Sequence, residues 1–93
     1  MFRIAFPKMK DSNPYYYNSG LLLKALDLAR QINDFSSENG IASVVDISGG
    51  HRNKTGYDTV IEVNTESTSE SFSSILKAGL ESGIFVITDE GKA

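Results

Sequence analysis

Apolar and polar residues alternate along "FRIAF", with Phe2, Ile4 and Phe6 on one side, and the alternation stops at Pro7. A period of two predicts a half-buried strand, and proline ends it because it cannot donate to a ladder. From residue 19 the period changes. Leu21, Ala25, Leu28, Ile32 and Phe35 recur at helical spacing, and Leu22, Leu26 and Ala29 widen the apolar stripe beyond 100°. Asn18 or Ser19 can cap the start of this helix, and Gly40 suits its left-handed exit. "IASVVDIS" over 41–48 and "YDTVIEV" over 57–63 return to alternation, joined by the polar, glycine-rich "GGHRNKTG". Two such runs most simply form a hairpin with a long tip.

A second helix is announced by Ser67 three residues before Glu70, the spacing at which hydroxyl and carboxylate each take a backbone N–H. Phe72, Ile75, Leu76, Gly79 and Leu80 follow with the spacing of a buried face, and Gly83 ends the run. Gly79 costs about 1 kcal/mol relative to alanine inside a helix, so a close approach to the sheet is expected there. "IFVIT" over 84–88 predicts a fourth strand, apolar on both sides as a more interior position would allow.

The order strand-helix-strand-strand-helix-strand is the split β-α-β pattern of ferredoxin-like α+β domains. It predicts a four-stranded antiparallel sheet in the order 4-1-3-2, with two helices on one face, as one domain over 1–93. In that topology the loop after the first strand, the hairpin tip and the turn before the last strand emerge at one end. Lys8, Lys10, Tyr15, Tyr16 and Tyr17 are then brought towards His51, Arg52 and Lys54, and these eight residues form the expected partner- or ligand-binding site. Tyrosines combine a large apolar ring with a polar handle, which suits an interface; the alternative is that the rings fold back on the core. The opposite, open face of the sheet is the second candidate. It is expected to show Arg3, Ala5, Val44, Asp46, Asp58, Val60, Glu62 and either Phe85 or Ile87, an apolar centre with an acidic rim that a partner or a second copy could cover.

Charge narrows the chemistry. Residues 1–57 hold seven Lys/Arg against five Asp/Glu, whereas 58–93 hold two against seven. A global basic footprint for nucleic acid is therefore absent. The third strand also departs from the RNA-recognition pattern, because Thr59 and Glu62 stand where two stacking aromatics belong. Lys54-Thr55 resembles the end of a phosphate-binding loop, but Ser48 and Asn53 replace its glycines and a strand follows it. Acylphosphatases share the element order, yet "FPKMKDSNPYYYN" lacks their glycine- and arginine-containing cradle.

His51 is the single histidine and there is no cysteine, so no catalytic constellation, metal site or cofactor is expected. Absence of cysteine fits a reducing compartment. No signal-like leader or membrane-length apolar run is present, so a cytoplasmic location is expected. The reading is of a small non-enzymatic regulator, inhibitor or adaptor that contacts another protein, with a homodimer through the open face as one form. The competing class is a phosphate-containing ligand, a nucleotide or single-stranded nucleic acid, held at the loop end by Lys8, Lys10, Arg52 and Lys54.

Overall fold

The computed structural model describes residues 1–7, 19–49 and 57–91. The elements run β1 (Phe2–Pro7), α1 (Ser19–Glu38), β2 (Val44–Gly49), β3 (Tyr57–Asn64), a 3₁₀ turn (Ser69–Phe72), α2 (Ser73–Glu81) and β4 (Val86–Thr88). The strands form one open antiparallel sheet in the order β2-β3-β1-β4. β1 is central, with Ile4 opposite Ile61 on one side and Ile87 on the other.

Strand alternation decides which side chains meet the helices. Phe2, Ile4, Phe6, Ile61 and Val63 join Ala25, Leu28 and Ile32 of α1, Leu76 of α2, Phe72 and Phe85 in a single buried cluster. Phe72 lies between Phe2 and Phe35, with ring centroids 5.6 and 5.5 Å away. Phe6 and Phe85 form a second tilted pair at 5.4 Å. Such tilted contacts set the positive edge of one ring towards the negative face of the next.

Both helices leave in the same way. Gly40 and Gly83 adopt φ of 65° and 73°, and the next residue's N–H reaches back to the last turn: Ile41 to the Ser36 carbonyl at 2.8 Å, Ile84 to that of Gly79 at 3.0 Å. This is the Schellman exit, for which glycine is favoured because the left-handed region penalises a Cβ. It also trims the strands. Ile41 and Ile84 spend their N–H groups on the helix ends, so β2 starts at Val44 instead of residue 41, and β4 at Val86 instead of residue 84.

Several expectations are corrected. Leu26 and Leu80, assigned to buried faces, are 48% and 39% exposed. β4 has three residues instead of five and, among the described residues, pairs with β1 at the edge where the order 4-1-3-2 puts it; its apolarity on both sides does not mark burial, since Ile84 and Val86 stay partly exposed. The Ser67–Glu70 box is not formed. Thr68 occupies the cap position without a side-chain bond, and the carboxylate of Glu90 accepts both the N–H of Ser69, at 2.9 Å, and its hydroxyl. The cap at Asn18 or Ser19, the side chain of Leu21 and residues 50–56 of the hairpin tip lie outside the described residues.

Candidate interaction surface

Lys8, Lys10, Tyr15, Tyr16, Tyr17, His51, Arg52 and Lys54 all lie outside the described residues. The segments that flank them are described. Pro7 pairs with Tyr57 and Gly49 with Thr59, so the end of β1, the end of β2 and the start of β3 stand at one end of the sheet. Phe85, at the entry to β4, reaches the same end against Phe6.

The open face can be built residue by residue. Cross-strand pairs place Arg3 beside Glu62 and Thr88, Ala5 beside Val60 and Val86, and Asp46 beside Glu62. Phe85 joins the buried cluster and Ile87 packs against it, so neither belongs to the open face; Val86 takes that place. The side chain of Asp58 is outside the described set. Ala5 and Val60 are almost fully buried and Val86, in the same cross-strand row, is 39% exposed; Val44 is 61% exposed two rows away, beside Asn64.

A charged cluster borders this apolar row. Arg3 donates from Nε and Nη2 to Oε2 of Glu62 at 3.2 and 3.0 Å, and from Nη1 to Oδ2 of Asp89 at 2.9 Å. Asn64 donates to the other oxygen of Glu62 at 3.2 Å. The hydrogen bond to Asp89, and then those to Glu62, hold the Arg3 guanidinium above its ordinary pKa. Asp89 sits at φ 55°, in the left-handed region that aspartate tolerates better than most residues. Sequence reasoning placed Arg3 and Glu62 on this face; Asp89 was missed because it lies beyond the last strand, 86 residues from Arg3.

Among the described residues, concavities also lie away from this face. An open cleft of about 650 Å³ is walled by the α1–β2 connection, Gly40–Ser43, and the residues after β3, Asn64–Ser67. An apolar groove of about 270 Å³ follows α2 past Ser73, Leu76, Lys77 and Leu80. Among the described residues no group of three or more His, Cys, Asp or Glu side chains is placed to hold a metal ion, and no helix is long and apolar enough to cross a membrane.

The open face can therefore offer two exposed valines, Val86 and Val44, with a fixed cation and two carboxylates between their rows. That is the chemistry of recognition by contact. Comparison with protein-family models, curated proteins and solved structures found no match.

Proposed function

We propose that the chain is a ferredoxin-like binding domain whose open sheet face receives another protein. The fold assignment is supported by the element order and by the antiparallel order β4-β1-β3-β2. The functional reading rests on one observation: exposed Val86 continues the apolar cross-strand row of Val60 and Ala5, on the face turned away from the core and directly beside the Arg3–Glu62 row. A lone exposed valine needs no explanation, but Val86 edges an apolar row over β3, β1 and β4, and Val44 adds a second exposed apolar position on the same face, beyond the Asp46–Glu62 pair. The Arg3–Glu62–Asp89 cluster would set orientation on that face, since charges at a rim contribute more to register than to affinity.

The test is a comparison of partner capture by wild type, Val44→Glu/Val86→Glu, and Tyr15→Ala/Tyr16→Ala/Tyr17→Ala, each verified as folded. A protein bound by wild type and by the tyrosine variant, but lost by the valine variant, supports the reading. Loss only in the tyrosine variant moves the contact to the loop end. Binding of a nucleotide or oligonucleotide that weakens steeply with salt would replace the reading with the phosphate-ligand alternative.

A further inference from the structure

α1 packs on β2 and β3, leaving its far flank over the outermost strand. Successive helical residues advance by about 100°, so Phe35, Ala25 and Leu26 report three directions around α1. Phe35 points inward to the Phe72 ring and Ala25 down onto the sheet. Leu26, about 100° further round, stands over the β2 side together with half-buried Leu22 and exposed Asn33. Among the described residues, β2 beneath it has no strand neighbour on its outer side. Its six residues contain neither proline nor lysine, the usual blocks to edge pairing, and Val45 and Ile47 are only half-buried.

We propose that β2 is a self-pairing edge, through which two copies join antiparallel about a two-fold axis into a continuous eight-stranded sheet. An added strand pairs such an open row of N–H and C=O groups along its length. A peptide strand alone would leave Leu22 and Leu26 uncovered, whereas a second copy supplies both a strand and a helix. The spacing fits. Strands lie about 4.8 Å apart and α1 rides roughly half a spacing inside β2, so the two α1 axes would be roughly 10 Å apart, the ordinary distance for packed helices. Charge also fits: with Ile47 on the axis, Asp46 faces the partner's Ser48 and not a second aspartate. The other edge cannot serve in the same way, because β4 has only three residues. This inference is independent of the open-face reading, since edge pairing leaves that face free and doubles its width.

Sedimentation equilibrium of wild type, Leu26→Glu, Leu80→Glu and Val86→Glu tests it. Wild type, Leu80→Glu and Val86→Glu are expected at twice the 10.1 kDa of one chain, and Leu26→Glu at the single-chain mass with an unchanged circular dichroism spectrum. Wild type at the single-chain mass up to millimolar concentration overturns the proposal. So does a dimer dissolved by Val86→Glu but not by Leu26→Glu, which would place the contact on the open face. Should Leu26→Glu fail to fold, Leu26→Cys decides: the chain has no other cysteine, and oxidation should link two copies through α1. A Leu26→Cys dimer that does not cross-link overturns it equally.

Discussion

The ring of Phe85 lies so close over Gly79 that a Cβ built on the glycine would overlap its Cε2 and Cζ atoms. Glycine inside a helix normally weakens it, and here the missing Cβ is what lets α2 receive a ring that is buried and tilted against Phe6. Gly79→Ala, which would gain about 1 kcal/mol on helix propensity alone, is therefore expected to lose about 1–3 kcal/mol through overpacking. Urea unfolding reads the change. Adding Phe85→Leu should return part of the loss, because the two sites are in direct contact.

Phe72 carries the aromatic cluster. It is fully buried and touches rings from both β1 and α1. Phe72→Ala should cost about 3–5 kcal/mol, a large part of the roughly 5–15 kcal/mol that holds a domain folded. Loss of dispersed amide signals in an NMR spectrum, with helical circular dichroism partly kept, is the expected outcome.

The first turn after β3 separates two capping schemes. Glu90→Ala should destabilise the protein by about 1 kcal/mol, since it removes the acceptor for the Ser69 N–H. Ser67→Ala and Glu70→Ala, the pair that sequence spacing singles out, should each stay within about 0.5 kcal/mol of wild type. A reversed ranking in thermal or urea unfolding would restore the local box.

Arg3 of β1 joins Glu62 of β3 to Asp89, just after β4, at the sheet face. Its ion pairs are about one-third exposed, so Arg3→Met should cost only about 1 kcal/mol. The cost should shrink in 1 M salt, where such charges are screened. Arg3→Lys should recover less than the full difference, because a single ammonium cannot present the fork that reaches Glu62 and Asp89 together.

Asp27 gives a pH signature on α1. Hydrogen bonds from Arg30 at 2.7 Å and Gln31 at 2.8 Å hold its carboxyl below the ordinary aspartate value. A depressed folded value means that the associated stability is present above the unfolded pKa and is lost as pH falls through the folded one. NMR titration should find the Asp27 midpoint on the acid side of normal. Arg30→Ala should raise it more than Gln31→Ala does.

The periodicities were enough to place four strands and two helices, because apolar spacing reports directly which face of an element is buried. The need for a close approach at Gly79 was legible for a similar reason: a glycine in an apolar helical stripe requires compensation. Width was not legible. Leu26 and Leu80 share their stripes with buried residues, but burial depends on how far the facing sheet extends, which spacing along one helix does not encode. Strand starts were misplaced because Ile41 and Ile84 are apolar enough for a strand while their N–H groups finish a helix. The contact of Arg3 with Asp89 on the candidate face and that of Ser69 with Glu90 at the 3₁₀ turn span 86 and 21 residues and leave no local pattern.

The central place of β1 has a consequence for the route to the native state. Its partners are β3 and β4, and Arg3 meets Glu62 and Asp89 across 59 and 86 residues of chain. The earliest strand in the chain thus cannot complete its ladders until the last one arrives, and the loops that join them must close before either contact is rewarded. α1 and the β2–β3 hairpin need no such wait. The domain should assemble around those local pieces first and admit β1 late, and until then its most apolar strand stays unpaired and open to association with other chains.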